Sequence, residues 1–236
     1  MSTIKGVIFD KDGTLFDFAA TWEVWAKSFL LRLCEGDQVK AAEIGRAIGF
    51  DLTEERFARD SVVIAGTPEE VTKALHPYFA HLTHEDLEAV LNEEAENAPQ
   101  REAVPLAPLL ETLRGRGLQL GVATNDAEQP ARAHLDQAGI TSFFDFIAGY
   151  DSGHGGKPAP GQLLAFAAQT GLAASEVIMV GDSTHDLRAG RAAGMGCVAV
   201  LTGLADADDL RPFADVVLRD IGELPEWLAT GTGRKT

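Results

Sequence analysis

The chain has 236 residues, 45% of them hydrophobic and 24% charged, an ordinary globular composition that excludes disordered, collagen-like and disulfide-scaffold classes. With 36 acidic against 20 basic residues the net charge is −16, so long-range electrostatics repels nucleic acid and anionic membranes, and neither is an expected partner. Cys34 and Cys197 lie far apart without CxxC spacing, which offers no metal knuckle or disulfide framework and points to a reducing compartment.

The first apolar run, Ile4 to Phe9, is short, rich in β-formers and stops at Asp10-Lys11-Asp12-Gly13, as a buried strand running into a turn does. From Phe18 the period changes. Phe18, Trp22, Trp25, Phe29, Leu30 and Leu33 recur at helical spacing, and Gly36 supplies a stop. Helices are also predicted at about 39–48, at 68–80 behind the capping box opened by Thr67, and at 84–96 behind Thr83. Residues 17–97 therefore read as all helical.

Beyond Asn97 strands and helices alternate. A helix at Leu106–Arg116 closed by Gly117 precedes a strand at Leu118–Ala123, and a helix at Glu128–Ala138 closed by Gly139 precedes a strand at Phe143–Ala148. A helix at Pro160–Thr170, a strand at Val177–Val180, a helix at Thr184–Ala193 and a strand at Cys197–Leu201 follow, and the tail Gly231–Thr236 reads as frayed. Such alternation predicts an α/β fold with a Rossmann-like parallel sheet covered by helices on both faces. The expected division is a catalytic core of residues 1–16 and 98–236 with an inserted all-helical cap of 17–97. No apolar run approaches the roughly 18 residues of a membrane span, and the start lacks signal-peptide character, so the expected location is the cytoplasm.

Ligands of open parallel sheets bind beyond the carboxyl ends of the strands, so the residues directly after each strand are the ones to read. Asp10-Lys11-Asp12-Gly13-Thr14 follows the first, Thr124-Asn125-Asp126 the second and Gly181-Asp182-Ser183-Thr184-His185-Asp186 the fourth, while Lys157 precedes the helix after the third. Several carboxylates converging on one sheet end repel one another at neutral pH, and hard oxygen donors of this kind are what Mg²⁺ prefers.

These four stretches, in this order, resemble the motifs of the haloacid dehalogenase-like superfamily, and the resemblance covers essentially the whole chain, with the phosphoglycolate phosphatase-like branch the nearest in pattern. The dehalogenases of that superfamily lack the second aspartate of the first motif, whereas this chain has Asp12, so the resemblance implies phosphoryl transfer. It implies Asp10 as the nucleophile that forms an aspartyl-phosphate, and Asp12 as the acid that protonates the leaving oxygen and the base that then activates water. Gly13 gives the backbone room to approach substrate, Thr124 matches the hydroxyl on a phosphoryl oxygen, and Lys157 matches the cation that holds nucleophile and transferring group together. Mg²⁺ is implied between Asp10, the backbone carbonyl of Asp12, Asp182 and Asp186, the last directly or through water.

Weaker expectations surround this set. Asn125 is a candidate substrate ligand, as are Gly156 and Ser183 as phosphate donors. His185 reads as a solvated helix residue, and the Trp22 and Trp25 stripe reads as packing rather than a substrate platform. Arg32, Arg46, Arg56, Arg59 and His76 are candidates to meet a second charged group on the substrate. The expected partner is a small phosphorylated metabolite, with phosphoglycolate leading, and the chain is expected as a monomer or homodimer. A phosphomutase or a pyrophosphate or phosphonate hydrolase shares the same core chemistry, and a receiver-like or non-catalytic phosphate-binding module is the more distant alternative. A Rossmann dehydrogenase is excluded by the absence of GxGxxG after the first strand, and a P-loop by Asp151 and Pro158 around Lys157.

Overall fold

The structure, a computed structural model, describes residues 3–64 and 66–230; the expected frayed tail Gly231–Thr236 lies outside them. Six parallel strands form one sheet: β1 (Gly6–Phe9), β4 (Gln119–Ala123), β5 (Phe146–Ala148), β6 (Val177–Gly181), β7 (Gly196–Val200) and β8 (Val216–Leu218), in the spatial order β5-β4-β1-β6-β7-β8. β1 lies between β4 and β6, with Gly6 opposite both Gln119 and Val177. From β1 the chain builds outward through β4 and β5, then crosses back to build β6, β7 and β8 on the other side, so β1 stands where the strand order reverses.

Alternation along the strands sorts side chains onto two faces. Val7 and Phe9 of β1 join an apolar cluster with Leu106, Leu110 and Leu113 of α5 (Leu106–Gly115) and Leu135 of α6 (Glu128–Gln137). Ile8 points the other way, into a cluster with Leu163 and Phe166 of α7 (Gly161–Thr170) and Ala189 of α8 (Thr184–Ala192). Both faces are thus covered by helices, as the near-continuous apolar strands require. The chain closes with α9 (Ala207–Leu210) and α10 (Leu224–Ala229), and no helix among the described residues is long and apolar enough to cross a membrane.

The insertion between β1 and α5 carries α1 (Phe18–Leu33), α2 (Gln38–Gly45), α3 (Pro68–Leu75) and α4 (His84–Glu96). Asp17 caps α1 by accepting from the Ala20 N–H at 2.9 Å, and Thr67 and Glu70 complete the capping box at the start of α3. Helix α3 stops at Leu75, ahead of the predicted residue 80, and continues as a 3₁₀ turn over His76–Tyr78, where Pro77 has no amide to extend the α ladder. The insertion is not purely helical. β2 (Phe50–Asp51) and β3 (Arg56–Phe57) form an antiparallel pair whose turn is held by Asp51 Oδ1 accepting from the Thr53 and Glu54 N–H groups. This pair lets the Phe50 and Phe57 rings meet at 4.9 Å and join the insertion's own apolar cluster, drawn from residues 18–98.

Two further differences have local causes. The strand expected over Phe143–Ala148 is confined to Phe146–Ala148, because Thr141–Phe143 form a 3₁₀ turn. The edge strand β8 is only three residues long, too short for periodicity to reveal, and Asp215 beside it takes two guanidinium bonds from Arg191, at 3.0 and 2.9 Å.

Candidate active site

The loop after β1 is a tight turn. The Leu15 and Phe16 N–H groups both donate to Lys11 O, and Gly13 N–H donates to Phe16 O at 2.7 Å. Gly13 sits at φ +76°, a conformation that disfavours side chains, and a Cβ there would lie 2.4 Å from Asp182 Oδ2. The β7 side closes on the same loop: Thr202 Oγ1 donates to Gly13 O at 2.5 Å, and a Cβ on Gly203 would fall 1.6 Å from Asp182 Oδ2.

Asp10 continues the ladder of β1, donating its N–H to Val180 O at 2.9 Å, so its carboxyl emerges at the sheet's carboxyl end. Asp182 and Asp186 arrive from β6 and the first turn of α8, and oxygens of the three carboxyls lie within 4.8 Å of one another, all buried. Lys157 Nζ donates to Asp10 Oδ1 at 2.5 Å and to Asp186 Oδ1 at 2.6 Å. Asp186 serves two purposes at once: its other oxygen accepts from the Ser183 N–H at 3.0 Å and so caps α8. Thr14 Oγ1 reaches Asp182 Oδ1 at 3.5 Å.

One lysine does not neutralise three buried carboxyls. Burial, joined by repulsion from Asp186 and Asp12 and opposed by Lys157, pushes Asp10 up to about 7. Burial and the charges of Asp10 and Asp186 raise Asp182 well above the usual carboxylate range. Burial works against the charge of Lys157, yet Asp10 and Asp186 hold it above an ordinary lysine. A cluster of buried hard oxygen donors with excess negative charge is the donor set a Mg²⁺ ion fits.

The Asp12 side chain lies outside this trio. Its two oxygens sit 2.9 and 2.8 Å from Lys11 Nζ, leaving its backbone carbonyl as the atom the sequence pattern offers a metal. Lys11 is completely buried and was not read from the sequence as a site residue. It reaches Asp126 at 3.3 Å and His134 Nδ1 at 2.9 Å, and burial is outweighed by Asp12 and Asp126, so its charge is favoured. Burial, partly offset by Lys11, pushes Asp126 up to about 6.

Thr124 directly follows β4, buried, with its Oγ1 accepting from the Asp126 N–H at 3.1 Å. Asn125 turns both amide atoms onto the backbone of Lys157, with Oδ1 accepting from its N–H at 2.7 Å and Nδ2 donating to its carbonyl at 2.9 Å. A Cβ on Gly156 would sit 3.0 Å from Asn125 Oδ1.

A cleft of about 680 Å³, counted out to its opening, joins these groups to the insertion. Asp10, Asp12, Thr124, Asn125, Asp126, Lys157, Asp182, Ser183, His185 and Asp186 form its polar floor, while Phe18, Trp22, Trp25, Val63, Ile64, Val71, Leu91, Asn92 and Ala95 form its wall. Trp22 and Trp25 therefore both pack and face the cleft, and His185 lines it, against the expectation of a merely solvated residue. None of the five cationic candidates lines it. Arg32 is held on the outer surface by Glu94 and Glu93 at 2.6 and 2.9 Å, and Arg56 and Arg59 face Glu54 and Asp206 across 3.7 Å. His76 bonds Leu82 O and stacks on His84, and Arg46 is exposed.

A doubly wound sheet with two carboxylates on the loop after its central strand, a lysine and further acids at the neighbouring strand ends, and a helical insertion against them defines a class of hydrolase. Comparison with known proteins places the chain within it: the haloacid dehalogenase-like hydrolase family matches residues 4–194, and the chain belongs to that family. The Probable phosphatase IndB of Dickeya dadantii is 32% identical over 91% of this chain and 88% of its own. A phosphoglycolate phosphatase of Pseudomonas savastanoi pv. phaseolicola is 30% identical over 93% and 78%. A solved structure from Haemophilus somnus, described as a predicted phosphoglycolate phosphatase, shares the fold with a TM-score of 0.73 over 96% of this chain and 98% of its own, at 20% identity.

Proposed function

We propose that this hydrolase is a Mg²⁺-dependent phosphatase that cleaves a small phosphomonoester through an aspartyl-phosphate on Asp10. The observation that carries the reading is the pairing of Asp10 with Lys157 at the floor of the cleft, beside Asp182 and Asp186. The relatives named phosphatases support it.

An Asp10 oxygen attacks phosphorus while the bond to the leaving oxygen breaks, and Asp12 supplies the proton that the departing alkoxide takes. Water then attacks the aspartyl-phosphate, Asp12 takes its proton, phosphate departs and Asp10 is restored. For both transfers the Asp12 carboxyl turns from Lys11 toward the cleft. Lys157 and the Thr124 hydroxyl stabilise charge on the transferring oxygens, a contribution on the order of a hundredfold per donor at comparable sites. Asn125 keeps Lys157 in place through its two backbone bonds. Asp10, the Asp12 carbonyl, Asp182 and Asp186 would hold Mg²⁺, which supplies charge neutralisation and orientation of the phosphoryl group. In this reading residues 1–16 and 98–236 are the catalytic core and 17–97 the cap over it.

The test is covalent trapping. Brief incubation with an activated phosphomonoester and Mg²⁺, followed by acid quench and mass spectrometry, should place one phosphoryl group on Asp10. Asp10→Asn should abolish label and turnover, whereas Asp12→Asn should cripple turnover of alkyl phosphates and still label slowly from an aryl phosphate. Label on another residue, or full turnover in metal-free buffer, overturns the reading.

A further inference from the structure

The cleft's charge distribution carries an inference about the alcohol half of the substrate, and it rests on the phosphatase reading above. The floor binds the phosphoryl group, so the wall must receive what that group is attached to. The wall is Phe18, Trp22 and Trp25 of α1, Val63 and Ile64, and Val71 and Leu91 of the facing helices. No Lys or Arg side chain stands in its lining. Lys11 Nζ lies over the Trp22 ring, 5.4 Å from its centroid, but is taken by Asp12, Asp126 and His134, Lys157 on the floor is already bonded to both Asp10 and Asp186, His185 belongs to the floor, and the five Arg and His candidates lie elsewhere. A carboxylate or second phosphate on the far end of a substrate would leave water without a counter-charge, close to Asp10, Asp12, Asp126, Asp182 and Asp186.

The wall is also aromatic and pre-organised. Trp22 and Trp25 meet edge to face at 5.1 Å, Trp25 packs on Phe29 at 4.5 Å, and the Trp25 indole N–H is occupied by Leu91 O at 3.0 Å, so the small part of this buried ring that reaches the cleft is apolar. Such rings favour a flat partner. The side chain of Asn92, half-buried at the cleft edge, adds a neutral amide able to bond a hydroxyl or carbonyl.

We propose that the substrate is the phosphomonoester of an uncharged, ring-bearing alcohol, with the ring seated between the Trp22/Trp25 pair and the Val63, Ile64 and Val71 wall. The reaction balances as phosphomonoester plus water giving the neutral alcohol and inorganic phosphate. A two-carbon acid such as phosphoglycolate would leave this wall unfilled and its carboxylate unpaired.

The experiment measures kcat/KM with Mg²⁺ for benzyl phosphate, para-carboxybenzyl phosphate and phosphoglycolate, with acetyl phosphate reporting the core chemistry. The two benzyl esters have alike leaving groups and differ in the distal charge. The expected result is a preference of about tenfold or more for benzyl phosphate over each anionic substrate, and quenching of tryptophan fluorescence by benzylphosphonate at concentrations where phosphonoacetate has no effect. Ile64→Arg, which places a cation on the wall, should lower the benzyl to carboxybenzyl ratio by about tenfold or more. Turnover of acetyl phosphate together with a ratio near one, or a preference for either carboxylate, overturns this inference and leaves the phosphatase reading standing. Inertness toward all four phosphoryl donors overturns the phosphatase reading, and the inference falls with it.

Discussion

Asp182 is closely confined by two glycines from different loops. Gly13 approaches it from the β1 loop and Gly203 from the loop after β7, and in both places a methyl group would collide with its carboxyl. Gly203→Ala should therefore displace the carboxyl with the fold intact, so that the rise in Tm produced by Mg²⁺ shrinks to less than half the wild-type rise in a thermal-shift assay. Asn125 is constrained differently, through the main chain of Lys157. Asn125→Ala removes two buried hydrogen bonds and lets the lysine drift, and kcat should fall about tenfold to a hundredfold with a smaller change in KM. Unchanged kcat would show that Lys157 is held by its carboxylates alone. Asp10, Thr124 and Asp182 could be read in advance because each stands at the end of an apolar run, and Lys157 because it stands ahead of the helix after the third strand. Lys11 and Gly203 could not, since their partners His134 and Asp182 are remote in sequence and only the fold brings them together.

Among elements, α6 ties the sheet to the insertion. His134 accepts from Lys11 on Nδ1 and donates from Nε2 to Ala95 O, at the carboxyl end of α4, at 2.6 Å. Both ring nitrogens are committed to the neutral form, and burial with the nearby Lys11 charge pushes His134 down to about 3. The unfolded chain binds this proton near pH 6.5 and the folded chain does not, so the stability involved is present above that pH and is lost as pH falls toward 3. Urea denaturation at pH 7 and pH 5 should show wild type losing about 2 kcal/mol more than His134→Asn over that interval. Equal losses would mean that the ring titrates freely. Helices and strands of this molecule were legible where periodicity ran long, as in α1 and α5. The β2–β3 pair was not, because two-residue strands have no period to detect. The cationic candidates fall outside the cleft for a related reason: residue type marks a charge, but the direction it faces depends on how the insertion packs, and Arg56 stands on β3 rather than on a helix.

For the whole molecule the excess of buried negative charge at one sheet end sets a pH dependence opposite in sign to that of His134. Asp10, raised from 3.8 to about 7, binds its proton more tightly in the folded state, so its contribution is fully present below about 4 and is lost as pH rises through 7. A divalent cation competes with that proton. Mg²⁺ should accordingly raise Tm more at pH 7.5 than at pH 5.5, and an equal rise at both would remove Asp10 from the metal site. The sheet order itself could be anticipated only as a class, because alternation of strands and helices does not say on which side of β1 each unit is laid.

The central position of β1 bears on how the protein is made. Its hydrogen-bonding partners are β4 and β6, with Gly6 facing Gln119 on one side and Val177 on the other, so one edge of β1 stays unpaired until β4 has been synthesised and the other until β6 has. The insertion has no such wait. Its apolar cluster comes from one contiguous stretch, residues 18–98, with only the partly buried Leu204 added from later in the chain. During translation the insertion is therefore the unit able to consolidate first, and the apolar strand that runs into Asp10 trails from it as an open edge. Conditions that slow elongation lengthen that exposure and leave β1 open for longer to chaperone capture or to misplaced pairing.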